Sequence, residues 1–141
     1  MTKKIYVYWW GHGNDTFSNF GDALNPVLIE NLSGMNVAKA ACSKISTLLM
    51  MKKVFGLVAK RNSWDELKLT FYGWTARKII FAVGSVIQWN GHKKSIIWGS
   101  GLLYRDAYPQ KCQVRAVRGP FTRERLLELG FDVPPVYGDP A

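Results

Sequence analysis

Between Asn19 and Pro26 the chain places one carboxylate, Asp22, and two carboxamides, Asn19 and Asn25, around Gly21 within a single tight turn. A carboxylate held in this way can take a proton from a hydroxyl or orient it, and the amides can grip the polar edge of a ligand. The same residues also have a structural use. Asp22 at a helix start meets free backbone N–H groups and the positive end of the helix dipole, and Asn19 and Asn25 suit turns and caps. Both readings stay open at this level. His12, between Gly11 and Gly13, is a group able to exchange protons near neutral pH, and equally an exposed loop histidine.

Further candidates lie downstream. Gly84-Ser85 and Gly99-Ser100-Gly101 let a ligand approach the backbone closely and offer it N–H groups; as turns they need no ligand. Neither completes a dinucleotide fingerprint or a phosphate-binding P-loop. Arg118 stands just before Gly119-Pro120, a helix opening, where an arginine beside free N–H groups makes an anion pocket. The alternative is an arginine paired with Glu124 or Asp139. Asp139, between Gly138 and Pro140, is a further acid/base or binding candidate.

These positions share a context: each follows an expected strand. Ile5–Trp10 is short, aromatic and β-branched and ends at Gly11, so it reads as a buried first strand, and His12, Asp15, Ser18 and Asn19 follow it. Residues Asp22–Leu32 carry apolar side chains at helical spacing and stop at Gly34, with Pro26 tolerable in a first turn. Residues 38–60 form an apolar run sprinkled with lysines and read as one helix, packed or resting on a membrane surface. Residues 61–77 receive no assignment. Strands are expected at Lys78–Val83, Ser95–Trp98, Val114–Val117 and Pro135–Tyr137, and a helix at Pro120–Leu129 with proline at its first position and Gly130 after it. Short apolar strands alternating with helices predict an α/β fold, a Rossmann-like parallel sheet flanked by helices. In such a sheet the strand-end residues gather along one edge, where ligands bind.

The totals agree. The 141 residues predict one domain, and 48% hydrophobic against 21% charged residues predict a globular chain. Cys42 and Cys112 lack metal-type spacing and, with only two histidines, point to free thiols in a reducing cytosol and no zinc site. The N-terminus reads directly into a strand, so no secretory signal is expected, and no stretch is long and apolar enough to span a bilayer. The formal net charge of +9 favours anionic partners: an acidic membrane face, or phosphorylated or acidic-sugar substrates. No zinc finger or aromatic RNA-binding strand accompanies it, so nucleic acid is not an expected partner. Self-association is left open.

Five short motifs, in order, carry a family resemblance: Asn19–Pro26, Phe81–Ser85, Trp98–Leu102, Val117–Thr122 with Leu126 and Gly130, and Tyr137–Pro140. From about residue 5 onwards the chain resembles the polysaccharide pyruvyl transferases. The resemblance implies transfer of a pyruvate ketal from phosphoenolpyruvate to two hydroxyls of a sugar, in exopolysaccharide or cell-wall glycan synthesis. It also implies a two-domain, GT-B-type glycosyltransferase architecture, of which residues 1–141 would be the N-terminal Rossmann-like domain. Basic residues of a C-terminal domain would then hold the donor. The chain stops at Ala141 directly after an expected strand, in keeping with part of a longer enzyme. On this reading Asp22 orients or deprotonates the acceptor, and Arg118 contacts an anionic ligand. Asp139 and His12 serve acid/base or binding roles, and Asn19, Gly21, Asn25, Ser85, Gly99, Ser100 and Gly101 line the substrate site. No metal or cofactor is required. The acceptor would be a glycan, lipid-linked at the inner membrane face, with peripheral attachment of a cytoplasmic enzyme. Two rivals remain: a nucleotide-sugar glycosyltransferase domain, and a non-catalytic domain binding sugar or membrane.

Overall fold

The structure is a computed structural model and describes residues 4–11, 19–42, 47–59 and 64–140. Five strands, β1 (Lys4–Val7), β2 (Asn36–Lys39), β3 (Ile79–Phe81), β4 (Ser95–Trp98) and β5 (Gln113–Ala116), pair in the order β2-β1-β3-β4-β5, every pair parallel. Helices α1 (Phe20–Ser33), α2 (Thr47–Val58), α3 (Trp64–Thr75) and α4 (Pro120–Glu128) connect them, with a 3₁₀ turn at Ile87–Trp89. This is the expected Rossmann-like α/β arrangement.

Alternation along β1 sorts the core into two layers. Ile5, Val7 and Trp9 face a cluster closed by Leu28 and Ile29 of α1. Tyr6 and Tyr8 face the larger cluster, closed by Tyr72 of α3 and Leu126 of α4. Helices therefore cover both faces, as a parallel sheet requires. The chain leaves β1 in one direction to reach β2, then crosses back to β3 on the other side of β1. The order reverses there, and the carboxyl ends of β1 and β3 flank a crevice.

Local chemistry explains the helix that borders the crevice. Asn19 is extended and its side chain accepts the Gly21 N–H at 3.0 Å, a helix N-cap. Gly34, left-handed with φ 65°, closes the other end by donating to the Glu30 carbonyl at 2.8 Å. The helix starts two residues earlier than the apolar spacing indicated, which moves Pro26 beyond the first turn. Proline has no N–H for the Asp22 carbonyl, and the Asn25 side-chain amide reaches that carbonyl instead, at 3.4 Å.

Three elements differ from the sequence reading. The run 38–60 is not one helix, because Asn36–Lys39 pairs with β1 over its whole length, from Lys4 against Asn36 to Val7 against Lys39. Only Ala38 of that edge strand is buried, so its composition gave no β signal. The unassigned stretch contains α3, whose buried residues are Thr70 and Gly73; small side chains make the contact, so no apolar stripe marks it. At Pro135–Tyr137 the ladder shrinks to a single bridge, Val117 with Tyr137, since Pro134 and Pro135 have no N–H to donate.

Candidate functional site

A cleft of about 520 Å³ opens at the carboxyl ends of β1 and β3. That volume suits a small polar metabolite or a sugar unit. Three groups of side chains line it.

The first is the Asp22 carboxylate. Asp22 sits in the first turn of α1 and is 7% exposed. Its Oδ1 accepts the Trp10 N–H at 2.9 Å, which ties the helix start to the end of β1. Oδ2 accepts no hydrogen bond from the described residues. Burial raises the pKa of this carboxyl above its ordinary value, while the Trp10 N–H bond and the positive charge of Lys39 pull the other way. Lys39, at the end of β2, donates from Nζ to the Gly11 carbonyl at 2.7 Å and lies over the Trp9 ring. Its own proton is held less tightly than usual because of burial. Asp22 is thus a carboxylate poised to accept a proton.

The second group is a chain of polar contacts: Ser85, Arg118, Asp139. Arg118 Nη1 donates to Ser85 Oγ at 2.8 Å and Nε meets Asp139 Oδ2 at 2.8 Å. Half of the Arg118 side chain remains exposed. Its pairing with Asp139 is one of the two outcomes expected from sequence, and Glu124 is not the partner. An anionic ligand at this end would share a guanidinium already oriented on two sides.

The third group is aromatic. Trp10 and Trp89 stack with ring centroids 4.4 Å apart, and Tyr104 lies on the same cleft. Such a wall suits the apolar face of a ring-shaped ligand whose hydroxyl edge meets Asp22. Sequence reasoning passed over Trp10, Trp89, Tyr104 and Lys39. The position of Trp10, directly after an expected strand, was a usable signal; Trp89 and Tyr104 offered none.

Most of the remaining candidates stand behind the cleft. Asn25 is fully buried: Oδ1 accepts the Val83 N–H at 3.0 Å, and Nδ2 is shared among the carbonyls of Gly21, Asp22 and Val83. It joins α1 to the end of β3. Ser100, also fully buried, donates to the Gly84 carbonyl at 2.6 Å, and the Gly101 N–H donates to the same oxygen at 3.0 Å. Gly84 itself has φ at 95°, a conformation open to glycine. At Gly101 a Cβ would sit 3.1 Å from Arg118 Cδ, so the missing side chain makes room for the arginine. Gly99 packs against the segment that carries Asp139, where a Cβ would meet Pro140 Cδ at 2.5 Å. Asn19 and Gly21 line the cleft itself. His12 lies outside the described residues. Among the described residues no cluster of three or more His, Cys, Asp or Glu could hold a metal ion, and no helix is long and apolar enough to cross a membrane.

Comparison of the chain with protein-family models, with curated proteins and with solved structures finds no match.

Proposed function

We propose that this chain is the N-terminal Rossmann-like domain of a polysaccharide pyruvyl transferase, one half of a two-domain, GT-B-type enzyme. The observation that carries the reading is convergence. Asn19 with Asp22, Ser85, Arg118 and Asp139 come from four separate stretches of the sequence, each a family-like motif, and all line one cleft at the reversal point of the sheet.

The chemistry follows from phosphoenolpyruvate. Its methylene carbon gains a proton, leaving a cationic centre at C2. A sugar hydroxyl oxygen bonds to C2, the C2–O bond to phosphate breaks with its electron pair, and a second hydroxyl oxygen closes the ketal. Of the two hydroxyl protons, one balances that gained at the methylene and the other leaves with phosphate. Asp22 takes the proton of the attacking hydroxyl through Oδ2, with Oδ1 fixed by Trp10. Arg118 faces the negative charge of the ligand, and Asp139 and Ser85 hold it in place. The Trp10 and Trp89 rings seat the acceptor sugar, a unit of an exopolysaccharide or cell-wall glycan precursor presented on a lipid at the cytoplasmic membrane face. His12 remains a candidate proton donor, and further cations for phosphate and carboxylate come from a C-terminal domain.

Calorimetric titration of phosphoenolpyruvate tests this, on the chain and on a form extended past Ala141, with Arg118→Ala as the paired variant. Saturable binding that is lost in the variant is the expected result. Binding of a nucleotide-diphosphate sugar by the extended form, with none of phosphoenolpyruvate, would replace the reading with glycosyl transfer.

A further inference from the structure

None of the described side chains of helix α2 reaches the buried class, although eight of the twelve residues in its span are Leu, Met, Val or Phe. Leu48, Met51 and Phe55 recur at the spacing of one helical stripe and are 64%, 66% and 77% exposed. Val54 is exposed beside them, and the neighbouring helix α3, packed on α2, exposes Trp64 and Phe71. A soluble chain gains nothing from such a stripe, and contiguous exposed apolar surface marks an interaction site.

The charge says what covers it. Between Lys39, whose ammonium is held beside the cleft by the Gly11 carbonyl, and Asp65 the sequence has Lys44, Lys52, Lys53, Lys60 and Arg61 and no Asp or Glu. Five of the nine net positive charges therefore fall on this segment. An acidic protein partner would match the lysines but leave the apolar stripe wet. A second copy would bring the same cations against each other. Apolar side chains with interleaved lysines fit a surface that is apolar below and anionic above, which is a bilayer with acidic headgroups. The helix has twelve residues and lies on such a surface; it does not span it.

From the exposed stripe and the segregated charge we infer that α2, flanked by α3, docks this protein peripherally on an anionic lipid bilayer. Neither signal suffices alone, and binding requires both. The inference does not depend on the reaction proposed above.

The test is co-sedimentation with phosphatidylcholine vesicles, with and without phosphatidylglycerol, at low and high salt. Expected is binding at least about tenfold tighter to the phosphatidylglycerol vesicles, weakened by salt. The double variant Met51→Ser/Phe55→Ser, whose side chains point outward, should lose about tenfold or more while keeping its circular dichroism. A measurement on the unaltered protein guards against a folding defect in the variant: vesicles should slow hydrogen exchange in residues 47–59 and leave Pro120–Glu128 unchanged. Equal binding to neutral vesicles, no binding, or undiminished binding by the double variant would each overturn the inference. So would self-association abolished by the same substitutions without vesicle binding, since the stripe would then belong to a second copy.

Discussion

Asn25→Leu separates a clamp from a bystander. The replacement keeps the number and branching of the heavy atoms but removes every polar atom of a fully buried side chain. The Val83 N–H, now bonded at 3.0 Å, loses its acceptor, and the Asp22 carbonyl loses the donor that stands in for the missing Pro26 N–H. One buried unsatisfied group costs about 1–3 kcal/mol, and the second bond is long, so the total should be about 2–4 kcal/mol. At about 3–4 °C per kcal/mol for a chain of this length, the thermal midpoint should fall by about 6–16 °C. Asn25→Asp sharpens the test. It keeps an acceptor for Val83 but sets a carboxylate against the carbonyls of Gly21 and Val83 in a fully buried site. Its folded-state pKa is therefore raised. The variant should be less stable than Asn25→Leu at pH 7 and should recover as pH falls, because protonation restores a donor. Circular dichroism melts across pH 4–8 read both effects. A midpoint loss below about 3 °C for Asn25→Leu, or an Asn25→Asp variant insensitive to pH, would refute the claim that this residue fastens α1 to β3.

Two glycines near Arg118 should respond differently to alanine. Gly99→Ala, with φ at 96° and backbone oxygen Gly138 O 2.9 Å from the new carbon, should cost at least about 2 kcal/mol in urea unfolding. Gly101→Ala meets only side-chain atoms, Arg118 Cδ and Cβ and Thr122 Oγ1, so it should cost under about 1.5 kcal/mol yet weaken phosphoenolpyruvate binding by displacing the guanidinium. Lys39→Met removes the cation that favours the Asp22 carboxylate, so the Asp22 titration should move to still higher pH, followed by carbon-13 NMR of the carboxyl. Because its folded-state value is already raised, Asp22 lends stability at low pH that is lost as pH rises through its titration; Lys39→Met should steepen that loss, and an unchanged titration would mean the Lys39 charge is not felt there.

What the sequence disclosed and what it hid follow one physical line. β4 was legible to the residue, because Ser95–Trp98 is a compact apolar run stopped by glycine. α4 was legible because Pro120 opens it and a glycine follows its end. β2 was hidden because an edge strand of mostly half-exposed residues is made by its partner, not by its own propensity. In the site, the residues with a backbone reason to be there were visible: Asn19 as a cap, Asp22 in a first turn, Ser85 after a strand. The aromatic wall was not, since Trp10 and Trp89 meet only when β1 and the turn after β3 are brought side by side. Nor could the sequence distinguish a ligand-facing amide from a clamp. Asn19 and Asn25 are the same side chain six positions apart; Asn19, extended, caps the helix at the cleft, and Asn25, inside the helix, turns into the core.

The buried amide of Asn25 belongs to a wider pattern that holds the cleft in shape. Beyond the last ladder bond of a parallel strand, backbone N–H and C=O groups lose their partners while still close to the core. In this chain buried polar side chains take them up: Asn25 serves Val83, Ser100 serves Gly84, and Thr122 Oγ1 accepts the Leu102 N–H at 3.3 Å. Each of these donors or acceptors stands directly behind a residue that lines the cleft or positions one. Removing one of them therefore has two consequences that cannot be separated: an unsatisfied group in the core, and a displaced strand end at the site. The need to satisfy those strand ends concentrates polar side chains along this edge of the sheet. It thereby supplies both the rigidity and the chemistry that a ligand meets there.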